Sequence, residues 1–195
     1  MRLSPAQIAT IEFQNDGATD SLTSTLAPAR FFQLLEREGA IAERSGSALM
    51  LLSITLNLER YLEAVERAST TSDLRVSTGQ AGRKQTSEYS IGGEGRFSPA
   101  AAVAKIERHI IAISEALSSQ LRTGDFFSRY SDTGFLMVIR GSHLEFHLAQ
   151  ERFQEFIAST SLSLGFKGIW EIDSLIRERG EEWLHLVERV DRIHF

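Results

Sequence analysis

The sequence predicts an α/β fold in which a largely antiparallel sheet of about five strands is flanked by helices. Residues 48–56 (ALMLLSITL) form a near-continuous apolar run, which is typical of a strand covered on both faces. Two shorter apolar segments flank residues 131–134 (SDTG), which suit the tight turn of a hairpin. Segments with one apolar helical face alternate with these strands, and this order favours an α/β class.

The elements of the first half follow from the same patterns. A helix is predicted from Pro28 to Ser45, because apolar residues recur on one face and Gly46 can end it in the left-handed conformation. A shorter helical stretch is predicted over residues 58–68. Residues 69–98 are rich in Ser, Thr, Gly and Gln, so we expect a flexible surface insertion there.

The second half begins with a long helix, because Pro99 suits the first helical position after the potential cap Ser98. Another helix is predicted over residues 144–159, and the alternation of residues 161–166 indicates a strand. Two spaced sets of apolar residues support the long helix and a final helical region: Val103, Ile106, Ile110, Ile113, Leu117 and Leu121 in the first, and Ile172, Leu175, Trp183, Leu186 and Val190 in the last.

Composition limits the function classes. The 195 residues suit one domain with a sizeable core, and the formal net charge of -5 argues against a broad electrostatic grip on nucleic acid or anionic membrane. No cysteine is present, so disulfides and thiolate metal sites are excluded. The first residues lack the apolar core of a signal peptide, and no apolar run has the length of a membrane span. We therefore expect a cytoplasmic protein without nucleic-acid or membrane partners.

Several separated segments together resemble the GGDEF domains of bacterial diguanylate cyclases. Residues 20–32 (DSLTSTLAPARFF) are similar to the family's D-x-L-T opening, and residues 51–58 to its first strand. Residues 121–135 (LRTGDFFSRYSDTGF) are similar to L-R-x-x-D-x-x-x-R-x-G-G-D-E-F, while residues 161–165 and 186–191 are similar to its S-I-G strand and last helix. The resemblance implies a palm-like nucleotidyl-cyclase fold over residues 20–195, preceded by an N-terminal extension over residues 1–19.

The same resemblance implies that the catalytic residues are missing. Cyclases of the family hold two divalent metal ions with carboxylates of the first strand and of the signature, and neutral side chains cannot replace those anionic ligands. We therefore expect no enzymatic activity, no metal and no cofactor. The degenerate active-site positions are Thr55 and Asn57 on the first strand, and Ser131, Asp132, Thr133 and Gly134 in the signature.

A second family motif is retained. Arg122 and Asp125 match the R-x-x-D inhibitory site, and Arg152 is the nearest match to its helical arginine. An arginine fork can donate to guanine O6 and N7 or to phosphate, while a carboxylate accepts from guanine N1–H and N2–H. The resemblance thus implies a cyclic di-GMP site. The alternative is structural, because Gly124 and Asp125 can also cap a helix end and its turn without a ligand.

The sequence thus favours a catalytically inactive cyclic di-GMP receptor that passes ligand occupancy to a protein partner. A nucleotide-independent interaction or dimerisation scaffold is the first alternative, and a GTP-binding regulator is the second. His143 and His147 lie one helical turn apart, but no third zinc ligand is evident, so a polar helix face is the better interpretation. Residues 92–94 (GGE) imitate the signature, yet they lie in the polar insertion.

Overall fold

A computed structural model of the protein describes residue 11 and residues 13–77, 99–178 and 180–194. Five helices and four strands occupy this part of the chain. In order they are α1 (Pro28–Ser45), β1 (Ala48–Leu56), α2 (Leu58–Ser77), α3 (Pro99–Gln120), β2 (Phe126–Ser131), β3 (Gly134–Gly141), α4 (His143–Ser163), β4 (Trp170–Ile176) and α5 (Trp183–His194).

The four strands form one antiparallel sheet in the order β2-β3-β1-β4. Strand β1 lies inside the sheet and is almost wholly buried, as its continuous apolar run predicts. The β2–β3 hairpin is confirmed, with residues 132 and 133 at its turn. The predicted α/β class with a mostly antiparallel sheet is therefore confirmed.

Apolar side chains cover both faces of the sheet. Even-numbered residues of β1, such as Leu52 and Ile54, pack with side chains of α2, α3 and α4 in one cluster. Odd-numbered ones, such as Leu49 and Leu51, pack with α1 and α5 in another. The period of two along a strand explains this division, because successive side chains point to opposite faces.

Several helix predictions are confirmed. Helix α1 ends at Gly46, whose φ of 68° is left-handed and whose N–H donates to the Ala42 carbonyl. Helix α3 begins at Pro99 and buries the predicted apolar residues up to Leu117, whereas Leu121 follows the helix and is half-buried. Helix α2 is longer than predicted, because it continues to Ser77 and so includes the first residues of the expected insertion. The rest of that insertion, residues 78–98 with the GGE tripeptide, lies outside the described residues.

Two predictions of the C-terminal part are wrong. Residues 161–166 do not form a strand: α4 continues to Ser163, and Gly165 follows with a φ of 87°. The strand lies further on, as β4, and it contains Ile172 and Leu175, which the helical spacing had assigned to the last helix. That helix, α5, begins only at Trp183.

Candidate functional site

The β2–β3 hairpin connects the two candidate sites of the sequence. Asp125 immediately precedes β2, and the altered signature, residues 131–134, follows at its other end. Six residues of extended chain span roughly 20 Å. The R-x-x-D turn and the positions predicted to be a degenerate active site therefore lie at opposite ends of one strand.

The R-x-x-D residues form a closed turn between α3 and β2. The backbone N–H of Asp125 donates to the Arg122 carbonyl at 3.0 Å, and the backbone N–H of Arg122 donates to Asp125 Oδ2 at 3.1 Å. Gly124 has a φ of 100°, a conformation that side-chain-bearing residues rarely adopt. The turn thus uses Asp125 structurally, as the alternative interpretation requires, but it engages the backbone of Arg122 and not its guanidinium.

Three guanidinium groups surround this turn. The Arg122 side chain is exposed and has no ion pair or hydrogen bond among the described residues. Arg152 comes from α4, and its buried Nε has no hydrogen-bond partner in the described part of the chain. Arg140, near the end of β3, was not among the predicted site residues. A Cβ on Gly124 would lie 3.8 Å from Nη2 of Arg140.

The charge of Asp125 depends on these neighbours. Burial raises the pKa of Asp125 above its ordinary value, while the backbone N–H of Arg122 and the positive charges of Arg152, Arg122 and Arg140 oppose that rise. All three arginines therefore act on one carboxylate. The predicted trio of Arg122, Asp125 and Arg152 is brought together, and Arg140 joins it.

The opposite end of β2 gathers the degenerate active-site positions. Thr55 pairs in register with Gly134, and the Leu56 N–H donates to the Thr133 carbonyl at 3.0 Å. A Cβ on Gly134 would lie 2.7 Å from Ser131 Oγ and 3.1 Å from Tyr130 Cε1, so a larger residue here would displace the side chains of the turn. The positions named from the sequence are therefore adjacent in space.

Asn57 has a structural task at this end. Its Oδ1 accepts from the Arg60 N–H at 2.9 Å, and so caps the start of α2. Its Nδ2 donates to Glu171 Oε1 at 2.8 Å, and the Arg60 guanidinium lies 3.6 Å from the same oxygen. The Glu171 carboxylate, which the sequence reading had missed, is thus paired with an amide and a guanidinium.

The side chains at this end do not fit a pair of divalent metal ions. The groups closest to the expected ligand positions are the hydroxyls of Thr55 and Thr133 and the amide of Asn57, which are neutral. Of the carboxylates at this end, Glu171 is already paired with Asn57 and Arg60, and Asp132 lies in the hairpin turn. Thr55 Oγ1 is buried and has no hydrogen-bond partner among the described residues. Within residues 13–77, 99–178 and 180–194, no group of three or more His, Asp or Glu side chains is arranged to hold a metal ion.

A buried ion pair ties the N-terminal loop, residues 13–27, to β2. Arg129 and Asp20 are both buried, with Arg129 Nη1 3.4 Å from each oxygen of Asp20. Arg129 Nη2 donates to the Asp132 carbonyl at 2.9 Å, which connects the pair to the signature turn. The D-x-L-T segment therefore holds the hairpin in place. Its Thr23 supports Asp20 by donating to Oδ1 at 2.7 Å.

No protein-family model and no curated protein matches this chain. Solved structures do, among them the GGDEF domain of DgcB from Caulobacter crescentus in complex with c-di-GMP. That domain is 16% identical over 92% of this chain and 88% of its own, with a TM-score of 0.57.

Two further structures agree. A microbial GGDEF domain described in a novel interaction mode with cyclic di-GMP has a TM-score of 0.55 at 17% identity, covering 90% of this chain and 86% of its own. The diguanylate cyclase SiaD from Pseudomonas aeruginosa, solved with its activator SiaC, has a TM-score of 0.55 at 15% identity, covering 89% of this chain and 55% of its own. The chain therefore has the fold of the GGDEF domains of diguanylate cyclases.

In the described part of the chain, no helix combines the length and apolar character that crossing a membrane requires.

Proposed function

We propose that this protein is a catalytically inactive GGDEF-type domain that binds cyclic di-GMP through its R-x-x-D turn and acts as a receptor in bacterial second-messenger signalling. The observation that carries the proposal is the convergence of the Arg122, Arg140 and Arg152 charges on Asp125. A cyclic dinucleotide has two phosphates and two guanine edges, which are the groups that arginine forks and a carboxylate recognise.

The state of the side chains supports a ligand at the turn. The guanidinium of Arg122 is unpaired among the described residues, and so is the buried Nε of Arg152. Asp125 uses Oδ2 in the turn, which leaves Oδ1 without a hydrogen bond in the described part of the chain. The cost of a missing hydrogen bond falls on the buried Nε of Arg152, whereas the exposed guanidinium of Arg122 is accessible to a ligand from solvent.

Two structural relatives support the choice of ligand. The DgcB domain and the microbial GGDEF domain were both solved with cyclic di-GMP. For the proposed receptor role, the relevant precedent is SiaD, a cyclase solved with a protein activator. A protein partner whose binding depends on whether the turn holds its ligand would complete the receptor role.

Calorimetric titration with cyclic di-GMP tests the proposal. We expect micromolar binding by the wild type and a loss of about 10- to 100-fold in Arg122→Ala, because two charge-assisted hydrogen bonds disappear. The matched control is Arg60→Ala, which removes an exposed arginine at the opposite end of the sheet and should bind like the wild type. Absence of heat from the wild type would overturn the proposal, as would equal binding by Arg122→Ala.

A nucleotide-independent dimerisation or interaction scaffold is the second candidate, favoured by an exposed leucine pair. Leu144 and Leu148 lie one turn apart on α4 with 70% and 56% of their surface exposed. Sedimentation distinguishes the two roles. A dimer that forms without nucleotide, persists in Arg122→Ala and dissociates in Leu144→Ser/Leu148→Ser would favour the scaffold.

A further inference from the structure

Arg140 occupies a position between two elements. It lies on β3, one residue before the strand ends, and its Nη1 donates to Glu38 Oε2 of α1 at 2.9 Å. The Nη2 of the same guanidinium lies over the turn, 3.8 Å from where a Cβ of Gly124 would be. One arginine therefore contacts α1 with one nitrogen and faces the R-x-x-D turn with the other.

The Arg140–Glu38 pair is partly shielded from water. The Glu38 side chain is only 18% exposed, and that of Arg140 is 38% exposed. Arg140 can therefore turn toward a ligand by a rotamer change, whereas Glu38 is held against the body of the protein. An anion arriving at the turn would compete with Glu38 for the same guanidinium.

We propose that Arg140 is a further ligand-binding residue of the R-x-x-D site and that Glu38 competes with the bound phosphate for it, so that ligand occupancy is coupled to α1. This inference rests on the proposed function and deepens it, because it names how the site reports to the rest of the domain. Coupling of this kind is reciprocal: whatever stabilises the Glu38–Arg140 pair weakens ligand binding, and the ligand weakens the pair.

A second ion pair on the same helix provides a matched control. Glu43 lies further along α1. It accepts a hydrogen bond at 2.8 Å from Nη2 of Arg177, the residue that directly follows β4. Arg177 packs against Gly39 and does not face the R-x-x-D turn. Neutralising Glu43 therefore removes the same charge from the same helix without releasing Arg140.

Calorimetric titration of cyclic di-GMP against five variants tests the inference. We expect Arg140→Ala to weaken binding about tenfold, since it removes one charge-assisted contact. Arg140→Lys should weaken binding by a smaller factor, because lysine keeps the positive charge but cannot donate two parallel hydrogen bonds. Glu38→Gln should tighten binding several-fold, and Glu43→Gln should stay near the wild type.

The double variant Glu38→Gln/Arg140→Ala separates competition from long-range charge. If Glu38 acts through Arg140, the double variant binds no better than Arg140→Ala. A gain from Glu38→Gln that persists without Arg140 would overturn the inference, as would wild-type affinity in Arg140→Ala while Arg122→Ala still loses binding. That last result would leave the proposed function standing, whereas a wild type that does not bind would overturn both.

Discussion

At the scale of single residues, His109 shows how burial determines chemistry in this domain. It lies on α3 and is buried against α4, where its Nε2 is 3.4 Å from Ser161 Oγ. The aromatic rings of Tyr61, Phe166 and Trp170 surround it. Burial lowers the pKa of His109 from 6.5 to about 4. The side chain is therefore neutral in the folded protein at physiological pH, which suits its packing among aromatic rings.

This shift predicts a pH-dependent stability. Because the pKa of His109 is lower in the folded than in the unfolded state, the unfolded chain binds the extra proton between about pH 6.5 and 4. The free energy of unfolding should therefore fall as the pH drops through this window, by on the order of 3 kcal/mol in all. Urea unfolding at several pH values should show a steeper loss for the wild type than for His109→Gln.

The control for this series is His147→Gln, whose side chain is exposed on α4 beside Glu151. It should keep the wild-type dependence on pH. Parallel curves for the wild type and His109→Gln would show that carboxylates alone cause the acid sensitivity, and the expected role of His109 would then be wrong.

At the scale of elements, burial patterns explain what could be predicted from the sequence. Strand β1 was predictable because its nine residues are covered on both faces and so form one apolar run. Helix α3 was predictable because its buried residues recur every three or four positions. Strand β4 is half-buried along its whole length, so its alternation is weak. Ile172 and Leu175 consequently fitted a helical period equally well.

The C-terminal end of α4 was wrongly predicted as a strand because its sequence alternates more regularly than its burial requires. The alternation of Ser and Leu over residues 161–164 imitates a half-buried strand, yet Leu162 and Leu164 are exposed and Ser161 is the buried residue. In the candidate site, Arg122 and Asp125 were predictable because they are neighbours in the chain. Arg140 was not, because only the pairing of β3 with β2 brings it to the turn.

The link between the N-terminal loop and β2 predicts a large effect of one substitution. Asp20→Asn should destabilise the protein by about 3–5 kcal/mol, because the buried Arg129 guanidinium would lose its counter-charge. Burial already lowers the pKa of Arg129, and Asp20 is the largest opposing influence. The comparison is Glu63→Gln, which breaks an exposed i,i+4 pair with Arg67 and should cost less than about 1 kcal/mol. Urea denaturation measures both, and similar costs for the two variants would contradict the anchoring role of Asp20.

At the scale of the whole molecule, the sheet separates two functions that the fold can carry. The R-x-x-D turn lies at one end of β2, and the neutral Thr55, Asn57 and Thr133 lie near its other end, where the Glu171 carboxylate is paired with Asn57 and Arg60. Metal-dependent phosphodiester formation needs carboxylates at the second end, because the cations must offset the charge of the triphosphate and activate the attacking hydroxyl. The proposed binding of a cyclic dinucleotide involves only the first end.

The last prediction is therefore that the protein forms no cyclic di-GMP from GTP with magnesium or manganese. The assay should include Arg122→Ala alongside the wild type, so that product held at the R-x-x-D turn cannot mask turnover. Because Thr55 pairs with Gly134 and Thr133 adjoins it, Thr55→Asp/Thr133→Glu places two carboxylates at neighbouring positions. This double variant should bind GTP more tightly in the presence of magnesium than the wild type does. Product formed by either the wild type or Arg122→Ala would show that the domain is a cyclase and would overturn the expected inactivity.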